Sequence, residues 1–313
     1  MDGIGLAELS LYLVVALALV VVGGGLATGF LIPARPTALR RARRMSALRT
    51  TVATSSSLAV FAVAIALHIQ NPLWEGVTFA MGPLVATTTG LAVFAALPPP
   101  TIEGAVRRRG AELEQRHVNR YSSPIQRWLM FALFSVVVGA VLALGFTSKT
   151  APDGRSLCTA VFPSECTAGG PFLYPGWLFA APALFLIATL LAAMMLALRR
   201  IIDAPAAAWR ALVEVDTALR VGAVRLVFRI ASTALVLTLG MFLGAAGIPL
   251  LNAGVLETGL SAEGDAIAGV VGFVLVATSA FALLSGLLLA FVAILSTVGR
   301  PHKAHTGILE SSA

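Results

Sequence analysis

The sequence predicts an all-α fold: a polytopic transmembrane bundle of seven helices with the N-terminus outside and the C-terminus in the cytoplasm. Three observations predict it. The 313 residues are 58% hydrophobic and only 12% charged, with a mean hydropathy of +0.90, whereas soluble domains carry about 25% charged residues. So few charges could not cover a soluble fold of this size, but lipid needs no such cover. The apolar residues also fall in runs of bilayer length, about 20 residues each. Finally, the basic residues cluster between alternate runs.

The first run, Leu9–Ile32, follows Asp2 and Glu8 and precedes a set of arginines. A cleavable signal peptide has the opposite polarity, so a retained helix inserted N-terminus out is expected. Thr51–Ile69 and Val77–Leu97 are the second and third runs. Pro98-Pro99-Pro100 ends the third, because consecutive prolines cannot continue a helix. Gly104–Arg120 is charged in both signs and reads as a short surface helix. Trp128–Thr147 and Phe172–Leu198 are the fourth and fifth runs. Between Arg199 and Arg229, the residues Leu212, Val215, Leu219, Ala223 and Leu226 share one helical face. Arg210 with Glu214, and Asp216 with Arg220, are opposite-charge pairs four residues apart. A cytoplasmic amphipathic helix is therefore expected to lead into the sixth run, Ile230–Leu251. The seventh, Ala266–Val298, exceeds a straight crossing and is expected to tilt or extend into the cytoplasm. Barrel strands would alternate with period two, which these continuous runs do not. Residues 1–298 are thus expected to form a single transmembrane domain and 299–313 a polar cytoplasmic tail.

Orientation follows from the basic residues. All 22 except Lys149 and Arg155 fall between runs one and two, three and four, or five and six, or after run seven. That face is cytoplasmic by the positive-inside rule, and one helix more or fewer would scramble the alternation. The net charge of +7 is therefore spread over short loops, a pattern that points to anionic headgroups of the lipid bilayer as partners and not to nucleic acid. The expected location is the cell membrane of a bacterium with a GC-rich genome.

Few residues suggest chemistry. Cys158 and Cys166, the only cysteines, lie in the loop expected outside, where disulfides persist. A bridge closing this short ring would contribute roughly 2–3 kcal/mol; two free thiols are the alternative. The loop ends Tyr174-Pro175-Gly176-Trp177, read as an interfacial anchor, or else as the lip of an outward-facing ligand pocket. No charge falls inside the runs, which weakens coupled transport, metalloprotease and haem readings. No cofactor or metal is expected. Polarity within the runs is hydroxyl: Ser55-Ser56-Ser57, and Thr87, Thr88 and Thr89 after Gly82-Pro83. These threonines are the candidate polar site, since Gly-Pro could break the helix and free carbonyls as in transporters; helix packing is the competing account. Gly240 and Gly244 form a GxxxG that permits close helix approach.

Other look-alikes fail. Asn119-Arg120-Tyr121 lies about twenty residues beyond the third run, not at its end as in seven-helix receptors. Ser285 has no interior histidine to serve as base. His302 and His305 sit in the polar tail.

The arginine-rich first loop, Tyr174-Pro175-Gly176-Trp177, and Val215-Asp216-Thr217-Ala218-Leu219-Arg220 resemble a group of actinobacterial multi-pass membrane proteins of unknown function. The resemblance covers the layout of most of the chain and implies no substrate or catalytic residue. The leading expectation is a non-enzymatic scaffold or accessory subunit with a membrane-protein partner, acting through cytoplasmic loops such as the cluster Arg107, Arg108 and Arg109. A permease for a neutral or apolar solute is the alternative, and a lipid-active enzyme a weaker third.

Overall fold

The computed structural model describes residues 37–70, 77–98, 121–150, 157–159, 174–204, 210–256 and 262–298. Within them lie six helices: α1 (Thr37–Gln70), α2 (Val77–Ala96), α3 (Pro124–Phe146), α4 (Trp177–Ile202), α5 (Arg210–Leu256) and α6 (Ala262–Val298). Two short strands, β1 (Ser148–Thr150) and β2 (Leu157–Thr159), pair antiparallel with Lys149 opposite Cys158. The expected first helix, Leu9–Ile32, lies outside the described residues, as do the Gly104–Arg120 surface segment and the tail.

Five helices contain stretches long and apolar enough to cross a membrane: Met45–Leu67, Pro124–Phe146, Trp177–Ile202, Asp216–Leu251 and Ile267–Ala293. Ala80–Ala96 is a shorter apolar helix. The chain is thus an all-helical, membrane-embedded protein, with one small hairpin. Several boundaries differ from the sequence reading. α1 begins fourteen residues before Thr51 and takes in the arginine-rich stretch. The amphipathic stretch before Ile230 is not a separate helix but the first part of α5. At about 1.5 Å per residue, the 47 residues of α5 run about 70 Å, more than twice the roughly 30 Å hydrocarbon core. α5 therefore reaches well beyond any bilayer it crosses.

Local chemistry explains the ends of α3 and α4. Ser123 caps α3 by accepting from the Gln126 N–H at 3.2 Å, and Pro124, which has no N–H to lose, fills the first turn. At the other end Thr147 shares a 2.8 Å hydrogen bond with the Tyr174 hydroxyl. Phe146 and Trp177 meet edge to face at 5.0 Å, so the end of α3 and the start of α4 are tied together. Tyr174 is buried and Trp177 exposed. Only the tryptophan therefore has the position of an interfacial anchor.

Packing is set by small residues. The core runs through Leu84, Val137, Val141, Leu190, Val224, Leu235 and Phe242, all below 2% exposure. In lipid such packing rests on close van der Waals fit, because tails are as apolar as leucine. α5 and α6 form the closest pair. A Cβ on Gly240 would stand 2.9 Å from Leu283 Cγ, and one on Gly244 would stand 2.8 Å from Ser279 Oγ. The GxxxG pair thus does what its spacing predicted. Gly247, Gly272 and Gly286 extend the same seam, and the Ser279 hydroxyl donates across it to the Gly240 carbonyl at 2.7 Å. The outer face of α6 is apolar and exposed along its length, from Ile267 and Phe273 to Phe281 and Phe291.

Candidate functional site: the arginine-capped end of the bundle

Two arginines that the sequence assigns to loops are buried inside the helix bundle. Arg49 on α1 is 4% exposed and Arg220 on α5 is 5% exposed. Each sits about three turns into one helix and reaches carbonyls at the C-terminal end of another. Helix C-termini leave unpaired carbonyls and carry the negative end of the helix dipole, so a guanidinium there meets both needs.

Arg220 is held on all sides. Its Nε donates to Asp216 at 3.1 Å, one turn back on α5. Its Nη1 donates to the Ile201 and Ile202 carbonyls at 2.9 and 3.2 Å, and its Nη2 to the Ala204 carbonyl at 2.9 Å. The planar fork of arginine suits this; a lysine could not reach three carbonyls and a carboxylate at once. The pair of Asp216 and Arg220 expected from the sequence is real, and it also orients a clamp on the end of α4.

Arg49 is less complete. Its Nε donates to the Phe94 carbonyl in the last turn of α2 at 2.6 Å. Its guanidinium carbon lies 3.9 Å from the centre of the Phe94 ring, a cation–π contact. Its Nη2 is buried and has no hydrogen-bond partner. Arg49 thus holds the C-terminal end of α2 and Arg220 that of α4, whose last turn also carries Arg199 and Arg200.

The candidate polar site is not a broken helix. α2 runs unbroken through Gly82 and Pro83, and a Cβ on Gly82 would press on Phe61 of α1 at 3.0 Å. Gly82 serves close packing. Thr89 bonds the Val85 carbonyl of its own helix at 2.9 Å. Thr87 is buried, and the Thr88 hydroxyl is buried without a partner. Ser56 and Ser57 both donate back to Ala53. Thr89, Ser56 and Ser57 thus turn to the backbones of their own helices, and the Thr88 hydroxyl does not.

Arg107, Arg108 and Arg109 lie outside the described residues, as does Cys166. The described residues hold no pair of cysteines at bonding distance, so the expected Cys158–Cys166 bridge has no support from them. Among the described residues no group of three or more histidine, cysteine or carboxylate side chains is placed to hold a metal.

The sequence reading missed Arg49 and Arg220 because the positive-inside rule treats every arginine near a run as loop charge. One local signal was available for Arg220: its carboxylate partner four residues back. Arg49 had none, since its acceptor is 45 residues away. Comparison with models of known families, with curated proteins and with solved structures finds no match to this chain.

Proposed function

We propose that this chain is a multi-pass protein of the cell membrane that crosses it seven times, with the N-terminus outside and the arginine-capped end in the cytoplasm, and that it works as a non-enzymatic scaffold or accessory subunit. The observation that carries this reading is the use made of buried charge. In coupled carriers and proton relays, intramembrane ionisable groups lie along the path of the ion. Here Arg220 spends four donor contacts on Asp216 and the end of α4, and Arg49 caps α2. Charge is used to lock helix ends together, while Arg199, Arg200 and Arg225 are exposed. Anionic headgroups and a membrane-protein partner fit that surface.

The permease alternative rests on three buried hydroxyls without partners, Ser55 on α1, Thr88 on α2 and Thr238 on α5. A passing solute could bond to them.

Purification of the full chain from mild detergent separates the two. A scaffold brings down a stoichiometric membrane-protein partner. That partner is lost when Arg107, Arg108 and Arg109 are replaced together by Gln, and retained in Thr88→Val. No partner in any preparation, together with a cellular phenotype abolished by Thr88→Val in well-folded protein, would replace the scaffold by the permease.

A further inference from the structure

The exposed side chains change character at one level of the bundle, on helix after helix. On α4 they are apolar from Leu178 to Leu196, about 27 Å of helix, and the next exposed ones are Arg199, Arg200 and Asp203. On α3 the partly exposed Arg127 is followed at once by the exposed Trp128, Leu129 and Phe131, with Ile125 the single apolar side chain exposed before it. Phe146 stacks on Trp177, so the two helices share a starting height. Trp128 lies 18 residues from Phe146 and Leu196 lies 19 from Trp177, about 27–28 Å in both cases. The Ser232 hydroxyl of α5 donates to Met130 Sδ at 3.3 Å, which sets the partly exposed Arg229 level with Arg127 and the exposed Arg225 about one turn beyond. On α6, Gly286 packs on Leu237 of α5, which brings the exposed Phe291 to about the height of Met130.

Tryptophan favours the membrane–water interface, and arginine the water just outside it. An apolar band of about 27 Å also comes close to the roughly 30 Å of a hydrocarbon core. We infer that the bilayer surface on the arginine side passes at Trp128 and Leu196, with Arg127, Arg199, Arg200, Arg225 and Arg229 in the headgroup layer, and that the Arg220 clamp stands in water beyond that surface. Two routes give its height. Ile202, whose carbonyl Arg220 holds, is six residues past Leu196, about 9 Å. Arg220 is itself twelve residues before Ser232, which puts it about 15 Å beyond Trp128. Length and composition alone let the spans run on to Ile202 and begin at Asp216; the exposed cations end them sooner. The last turn of α4 and the first four turns of α5 then form an ordered body outside the bilayer, and the ion pair of Asp216 and Arg220 is buried by protein without entering hydrocarbon. This inference rests on the membrane reading above but not on its sidedness or on the scaffold role.

The test places single nitroxide-labelled cysteines in the full chain, in a background of Cys158→Ser and Cys166→Ser, reconstituted in liposomes of phosphatidylcholine and phosphatidylglycerol. Depth is read from collisions with oxygen, which concentrates in hydrocarbon, against a nickel chelate that stays in water. All four sites are exposed, so the labels need no repacking. Val136→Cys should lie about 10 Å deeper than Leu129→Cys, seven residues away on α3. Asp203→Cys and Val213→Cys should both collide freely with the nickel chelate. Asp203→Cys shielded in hydrocarbon would put the Arg220 clamp inside the membrane and overturn the placement, as would Leu129→Cys deeper than Val136→Cys. Val136→Cys open to the chelate would instead defeat the membrane reading itself. Liposomes report depth whichever way the chain inserts, so a reversed topology leaves the placement intact.

Discussion

At the scale of the residue, the contrast between Arg49 and Arg220 organises the molecule. Arg220→Leu removes four donor contacts and leaves Asp216 and three backbone carbonyls without it. Breaking a buried pair in this way costs about 3–5 kcal/mol, so the variant should unfold at markedly lower temperature in detergent, while the exposed Arg225→Gln should stay within about 0.5 kcal/mol of wild type. Equal melting of the two variants would show that the clamp on α4 is not important to stability. Thr88 gives a prediction of opposite sign. Read from the sequence, Thr88→Val should weaken the protein by roughly 0.6 kcal/mol, the value of an average hydrogen bond between membrane helices. In the structure its hydroxyl is buried with no partner, so there is no bond to lose and a desolvation cost to relieve. Thr88→Val should therefore be neutral or stabilising, and a loss of more than about 1 kcal/mol would mean the hydroxyl has a partner. Of this, only the Asp216–Arg220 pair was legible beforehand. Spacing within one run says which residues share a face, but it cannot say which carbonyl of a distant helix an arginine meets.

At the scale of the element, the small-residue seam between α5 and α6 is the sharpest test of the packing. A Cβ at Gly272 would overlap the Leu251 backbone N–H and the Leu250 carbonyl carbon, neither of which can swing aside as a side chain can. Gly272→Ala should cost about 3 kcal/mol or more, the upper end of overpacking. At Gly139 on α3 an added Cβ meets nothing within 4 Å, so Gly139→Ala should be neutral or mildly stabilising, since alanine favours the helix by about 1 kcal/mol. Melting curves of the two variants in the same detergent check both; a tolerated Gly272→Ala would contradict the seam. Elements were largely legible in the sequence. Every long run from Thr51 onward became a helix, and Gly240 with Gly244 marked the seam. What the runs hid was continuity. Charges between Arg210 and Arg229 look like a loop on a hydropathy criterion, yet the apolar face of Leu219, Ala223 and Leu226 keeps the helical period into the sixth run. The chain had no reason to break there. Likewise Gly82-Pro83 looks like a break but sits in the first two turns of α2, where proline costs a single internal bond.

At the scale of the whole molecule, the two arginine caps and the positive-inside pattern point to one face. Helix C-termini of α2 and α4 share it with the flanking stretches of α1 and α5, while β1 and the Thr147–Tyr174 contact mark the opposite end. This arrangement makes the fold directional: a rigid, cation-rich end, and an end closed by aromatic and hydroxyl contacts. The exposed apolar face of α6 belongs against lipid in that arrangement. The measurement that tests it most directly is labelling of single introduced cysteines by a membrane-impermeant thiol reagent, in a background of Cys158→Ser and Cys166→Ser. Lys149→Cys, in the exposed β1, should label on intact cells. Val213→Cys, exposed near the start of α5, should label only after the membrane is permeabilised. Labelling of Val213→Cys on intact cells, with Lys149→Cys protected until permeabilisation, would put the arginine-capped end outside and contradict the account at its centre.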